Sequence, residues 1–224
     1  GVRGMMFLDN VCKEYKLGKE TIKALKNVSV TFENNKFYAI MGRSGSGKST
    51  LVHIIGLLDN PTSGTIYLNN QDTSHLKEDE IQEIISQNIG FVFQKFYLNS
   101  NLTALENVML PSLIIKNMSF AEKKKQALAL LKLVGLENRV NHKPKELSGG
   151  EAQRVAIARS LINNPEIIIA DEPTGNLDKE SELVIFNLLK KISKQGKTVI
   201  VVSHNEIIKE YADKVYILDD GVLK

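Results

Sequence analysis

The sequence predicts an α/β fold: a mainly parallel sheet with crossover helices, an antiparallel β subdomain at the N-terminus and an inserted α-helical subdomain. Three observations carry this prediction. Beyond Asn163, short apolar runs alternate with helical patterns, as in a parallel sheet joined by crossover helices. Met6–Tyr15 and Thr21–Phe32 alternate apolar and polar residues around Gly18, which is the pattern of paired antiparallel strands. Between Gln94 and Pro144 the apolar period becomes helical.

The elements follow in order. Phe37–Met41 is a short apolar run suited to a buried strand, and it leads through a Gly/Ser loop into a helix from about Lys48 to Leu58. Asn60-Pro61-Thr62-Ser63-Gly64 breaks the chain, and Thr65–Leu68 resumes strand character. Lys77–Ser86 reads as a helix and Ile89–Phe93 as a buried strand. In the insertion the strongest helix is Ser119–Val134: Ser119 can cap it, Glu122 holds the capping-box position and Gly135 ends it. A further helix runs from Gly149-Gly150 to about Asn163. Strands at Ile167–Ala170, Thr198–Val202 and Lys214–Leu218 then alternate with helices at Lys179–Lys194 and Glu206–Tyr211. This gives one domain over residues 5–224, with residues 5–93 and 160–224 as core and β subdomain and 95–159 as helical subdomain. Residues 1–4 read as an extension ahead of a natural start at Met5 or Met6.

Composition narrows the class. The chain is 42% hydrophobic and 25% charged, as in a soluble globular protein. A net charge of +3, with no dense basic run, is no nucleic-acid footprint, so no nucleic-acid partner is expected. Lys123-Lys124-Lys125 reads as a solvated helix face. The single cysteine, Cys12, cannot form an internal disulfide and fits a reducing compartment. The longest apolar stretches, Leu51–Leu58 and Val108–Ile115, fall short of the roughly 18 residues of a membrane span. Any work at a membrane therefore needs a partner.

Gly42-Arg43-Ser44-Gly45-Ser46-Gly47-Lys48-Ser49 satisfies G-x-x-x-x-G-K-[ST], with a strand before it and a helix after it, so the core reads as a P-loop NTPase. Its glycines let the backbone fold around phosphates, and successive N–H groups at the helix start point at the anion. Lys48 supplies a charge for the β- and γ-phosphates, Ser49 a hydroxyl for Mg²⁺, and Thr50 completes the nucleotide-binding set. A flexible linker would need neither the Lys-Ser nor the buried strand ahead of it.

Ile167–Ala170 ends in Asp171-Glu172. Beside the phosphate-loop strand, this edge puts Asp171 near the metal and Glu172 near the γ-phosphate as base for the attacking water. Val199–Val202 likewise ends in Ser203-His204, and His204 can bond the γ-phosphate or the water. His53, His75 and His142 read as structural.

Ser148-Gly149-Gly150 at a helix head would make a second anion site in a chain that already has one. Leu147-Ser148-Gly149-Gly150-Glu151, followed by Gln153-Arg154-Val155-Ala156-Ile157-Ala158-Arg159, resembles the signature of ABC ATPases. The resemblance extends along nearly the whole chain. Tyr15 resembles the aromatic that stacks on adenine, and Gln94 the glutamine that touches Mg²⁺ or water. Gly175-Asn176-Leu177-Asp178 resembles the D-loop, so Asp178 joins the nucleotide-binding set, and His204 matches the switch histidine. Glu151 departs from the Gln of many members.

The resemblance implies a head-to-tail dimer around two ATP, in which Ser148–Gly150 of one copy covers the γ-phosphate held by Lys48 of the other. It also implies an integral membrane permease partner, with the chain peripheral on the cytoplasmic face. Leu102–Val108 and His142-Lys143-Pro144 are similar to the lipoprotein-release and macrolide-efflux ATPases, implying export or extraction of lipoprotein, peptide or drug-like cargo. The second reading is a soluble ABC ATPase acting on DNA or the ribosome. An unrelated P-loop kinase or GTPase would leave Ser148–Glu151 unexplained.

Overall fold

The computed structural model describes residues 5–224, so the four-residue extension lies outside it. β1 (Met6–Leu17) and β2 (Glu20–Phe32) form the expected antiparallel hairpin around Gly18. β3 (Phe37–Met41) leads through the phosphate loop into α1 (Lys48–Ile55). β4 (Ser63–Leu68) pairs with β1, and β5 (Gln71–Asp72) with β4, giving a four-stranded antiparallel sheet in the order β2-β1-β4-β5. α2 (Glu78–Asn88) then feeds β6 (Ile89–Phe93).

The helical stretch contains α3 (Ala104–Met109), a 3₁₀ turn at Leu110–Ile114, α4 (Phe120–Leu133) and α5 (Gly149–Leu161). Alternation resumes with β7 (Ile167–Asp171), α6 (Lys179–Lys194), β8 (Thr198–Val202), β9 (Lys214–Asp219) and β10 (Val222–Leu223). These strands build a six-stranded sheet in the order β10-β9-β3-β8-β7-β6, parallel except for β10.

Period-two geometry divides the core. Phe37, Ala39 and Met41 of β3, Ile168 and Ala170 of β7, and Val199 and Val201 of β8 face α3 to α6. Their neighbours Tyr38, Ile40, Ile167, Ile169, Ile200 and Val202 face α1 and the antiparallel sheet. Both faces are covered, so these strands are apolar throughout, as a parallel sheet requires. Full burial of each Ile or Val contributes about 1.5–3 kcal/mol.

Several elements differ from expectation by a few residues, and three of the differences have a visible local cause. α1 stops at Ile55 instead of Leu58, because Leu57 turns left-handed (φ 58°) and the Leu58 N–H reaches back to the His53 carbonyl at 2.8 Å, which closes the helix end. β4 starts at Ser63 because it pairs there with Cys12. Residues 206–210 form a 3₁₀ turn, with Asn205 accepting from the Ile207 N–H, where a helix was expected.

β3, β6, β7 and β8 all run in one direction, so their C-terminal ends meet at one edge. There the chain leaves the sheet at Gly42, Gln94, Glu172 and Ser203-His204. Crevices at the carboxyl ends of parallel strands are where such sheets hold ligands.

Candidate nucleotide site

A cleft of about 850 Å³ opens at this edge. Its walls include Tyr15, Arg43, Ser44, Gly45, Gly47, Lys48, Ser49, Thr50, Gln94, Glu172 and His204. Residues from five separate segments of the sequence thus converge on one space.

Backbone geometry shapes the floor. Gly47 caps α1 with φ 102°, and a Cβ there would sit 2.5 Å from the Ala24 carbonyl, so only glycine fits. α1 has no side-chain cap and no acidic residue in its first turn, which leaves its N–H groups and the positive end of its dipole for an anion. Gly42 lies behind the loop, where a Cβ would be 2.5 Å from the Leu218 carbonyl and 2.6 Å from Ser46 Oγ. Ser46 is buried and its Oγ has no partner among the described residues. It closes the back of the loop and does not line the cleft.

Glu172 is the electrostatic centre. The Lys48 ammonium donates to Oε1 at 3.1 Å, and His204 Nδ1 lies 2.9 Å from the same oxygen. The Lys48 and Glu172 side chains are only 13% and 18% exposed. Glu172 also holds a left-handed backbone (φ 45°), fixed by its N–H donating to the Val202 carbonyl at 2.8 Å. Such a conformation costs a non-glycine residue about 1–2 kcal/mol. Here it turns the carboxylate off the end of β7 and into the cleft.

Asp171, one residue earlier, is half-buried. Burial raises its carboxyl above the usual range, and the Glu172 charge adds to this, against opposition from His53 and Lys48. His53, read as structural, is exposed on α1, yet its charge acts on Asp171. A carboxylate destabilised by burial favours a nearby cation. Asp171, Ser49 and the Gln94 amide offer hard oxygen donors, the set that Mg²⁺ prefers, so the residues fit that ion.

Gln94 Nε2 donates to Asn176 Oδ1 at 3.1 Å, and its side chain lies so close to Gly175 that a Cβ there would meet it at 2.7 Å. Tyr15, 36% exposed, is braced from below: its hydroxyl donates to Asp59 at 3.4 Å, and the Lys13 ammonium, paired with Asp59, stands 5.2 Å from its ring centre.

Two groups of expected residues lie elsewhere in the single chain. Ser148 and Gly149 line a second cleft with Phe96 and Leu147 that shares no residue with the first. Ser148 caps α5 by accepting from the Glu151 N–H, while Glu151 returns a bond to the Ser148 N–H and pairs with Arg139. Gly150 is buried against Ser181. Asp178 caps α6, accepting from the Ser181 N–H at 2.8 Å, and that bond lowers its carboxyl below the usual range.

Sequence reading missed Ile22, Lys23, Ala24, Asp220 and Gly221, which complete the wall of the first cleft. The Gly221 N–H donates to the Ser46 carbonyl, and its carbonyl accepts from the Lys26 N–H, so the β9–β10 turn anchors the phosphate loop to β2. Asp220-Gly221 is an ordinary turn signal, and nothing local ties it to residue 46.

The family described as ABC transporter matches residues 25–175. The uncharacterized ABC transporter ATP-binding protein MJ0796 of Methanocaldococcus jannaschii is 52% identical over 222 residues, covering 97% of this chain and 94% of that protein. The macrolide export ATP-binding/permease protein MacB of Bdellovibrio bacteriovorus is 50% identical over 220 residues; this chain spans 33% of its length. Among solved structures, the dimeric post-hydrolysis state of the MJ0796 cassette with bound ADP and Pi superposes with a TM-score of 0.88 at 48% identity, covering 98% of this chain and 97% of that one.

Proposed function

This chain belongs to the ABC transporter family, and from that premise we propose that it is the ATP-hydrolysing subunit that drives a membrane permease. The observation that carries the reading is the split between the two anion sites. Lys48, Gln94, Glu172 and His204 converge on one cleft, while Ser148 and Gly149 stand at another. Two copies arranged head to tail bring the second site of each onto the first site of the other and bury two ATP. A cassette of 48% identity forms a dimer with ADP and Pi bound, which supports this arrangement.

Each residue then has a task. Tyr15 stacks on the base. The loop from Gly42 to Thr50 wraps the phosphates, and Lys48 pairs with them. Glu172 accepts the proton of the attacking water, and His204 steadies the water and the γ-phosphate. Ser49, Gln94 and Asp171 would hold Mg²⁺, which supplies charge neutralisation on the phosphate oxygens. Ser148–Gly150 and Asp178 act across the dimer.

Residues 95–159 serve as the arm that reaches the permease. Among the described residues no helix is long and apolar enough to cross a membrane, so that partner is a separate chain or segment. MacB is a macrolide export ATP-binding/permease protein, which supports coupling to a permease and an export role; the chain's place is peripheral on the cytoplasmic face, and its cargo for export or extraction is lipoprotein, peptide or drug-like. The likeness to MacB also disfavours a soluble role on DNA or the ribosome.

The test is a pull-down from gently solubilised native membranes, with tagged Glu172→Gln chain and ATP. The resemblance to the lipoprotein-release and macrolide-efflux ATPases implies a permease with few spans and a large outer domain, so an integral membrane protein of that form is the expected catch. A many-span permease would keep the transporter and discard the exporter group. Ribosomes or DNA in place of any membrane protein would overturn the coupling to a permease.

A further inference from the structure

Gln153 lies in the middle of α5, is fully buried, and touches neither cleft. Its amide nitrogen donates two hydrogen bonds, to the Phe93 carbonyl at 2.9 Å and to the Pro173 carbonyl at 2.6 Å. Both neighbours are carbonyls that only accept, so the nitrogen must be the end that faces them. The two acceptors are the residue before Gln94 and the residue after Glu172. One side chain thus fixes the exits of β6 and β7, each next to a residue of the cleft.

Three details make this more than core filling. The Gln153 oxygen is buried without a partner among the described residues, a cost that an apolar side chain of the same shape would avoid. The two exits are also tied directly: the Gln94 amide donates to Asn176, and Asn176 Nδ2 lies 3.4 Å from the Gln94 carbonyl. Farther along α5, Arg159 donates to the carbonyls of Phe96 and Tyr97 at 2.8 Å each. α5 therefore grips the Gln94 segment at both ends, and its own first turn carries Ser148–Gly150.

We propose that Gln153 is a positioning residue for hydrolysis, which sets Gln94 and Glu172 from the helix whose head meets the partner's nucleotide. This rests on the reading of the cleft as an ATPase site and adds a link between each chain's signature turn and its own catalytic edge. A pull on α5 moves both acceptors together, because they share one donor. Nucleotide binding itself uses Lys48, the phosphate loop and Tyr15, none of which Gln153 touches.

The experiment compares the parent chain with Gln153→Met, which keeps shape and loses both donors, and Gln153→His, which keeps one ring N–H. ATP affinity, melting temperature and kcat are measured on all three, and ATP-dependent dimerisation in the Glu172→Gln background. The expected result for the Met variant is a kcat at least tenfold lower, with ATP affinity within about twofold of the parent and the dimer retained. The His variant should fall between. If the Met variant fails to fold, the His variant decides: parental kcat overturns the proposal, and a kcat loss with unchanged affinity supports it. Unchanged kcat in a folded Met variant, or affinity and melting temperature falling along with kcat, also overturns it. A parent chain without ATPase activity would instead sink the reading of the cleft.

Discussion

Before nucleotide arrives, Glu172 occupies Lys48, and this makes a prediction about binding as well as catalysis. The ammonium sits 3.1 Å from the carboxylate with both side chains largely shielded. At an effective dielectric near 20 the gross attraction is about 5 kcal/mol. Desolvation and side-chain ordering consume most of it, leaving roughly 1–2 kcal/mol for a pair between the surface and buried cases. Incoming phosphates must displace that carboxylate to claim Lys48. Glu172→Gln keeps the shape and removes the charge, so it should tighten nucleotide binding about 5- to 30-fold, at 1.4 kcal/mol per tenfold.

ADP is the cleaner probe, since it is not hydrolysed and its β-phosphate still needs Lys48. Titration calorimetry at low salt, on the monomer, reads the effect directly. The same variant should lose about 10²–10⁴ in kcat through loss of the base. ADP affinity that stays equal or weakens would refute the argument that Glu172 competes for Lys48, whatever happens to kcat.

Tyr15→Ala should weaken ATP and GTP by a similar factor, about 5- to 10-fold, because stacking reads a ring face and not its edge; competition binding that shows selective loss of one nucleotide would contradict this. Asp171→Asn should abolish Mg²⁺-dependent hydrolysis yet stabilise the nucleotide-free chain at neutral pH by about 0.5–2 kcal/mol, read by denaturant unfolding. The sign follows from the raised carboxyl: between its unfolded and folded pKa the folded chain binds more protons, so stability falls as pH rises through that window. The Asn variant should lack that fall, and an unchanged pH profile would contradict the assignment.

Much of the site was legible because its chemistry is local. The phosphate loop spans eight consecutive residues, and Asp171-Glu172 ends a strand whose apolar run announces burial on both faces. What escaped is what depends on register or distance. β1 shifts register between Leu8 and Val11, between Val11 and Lys13 and between Lys13 and Glu14, with Asn10 at φ 49°. Each shift changes the face that later residues present, so alternation alone could not place Ile22 opposite Tyr15 at the cleft. Gln153 belongs to the signature stretch, but its two acceptors are 60 and 20 residues away in the chain, so no local pattern marks its role. Asp178 was read through the D-loop and proves in the single chain to be a helix cap.

The separation of the two anion sites makes a prediction that no single-chain site could meet. Lys48→Ala removes the phosphate counter-charge and should abolish binding in its own cleft. Gly149→Asp places a carboxylate where the partner's γ-phosphate is proposed to lie. It should fold, since an acidic side chain at a helix N-terminus is favourable and its Cβ would meet the flexible Leu177 side chain at 3.2 Å and Phe96 at an ordinary contact distance of 3.9 Å. Each variant alone should be inactive. In an equal mixture, half the pairs are mixed. A mixed pair has one site with both Lys48 and Gly149 intact and one site with neither. The mixture should recover about a quarter of parental ATPase activity, if sites fire independently. Should they need to fire together, the same mixture in the Glu172→Gln background still reports: mixed pairs should trap one ATP each, detected with two tags and labelled nucleotide. Mixed pairs that trap none would mean that Ser148–Gly150 does not complete the partner's site, and the head-to-tail arrangement would fall with it.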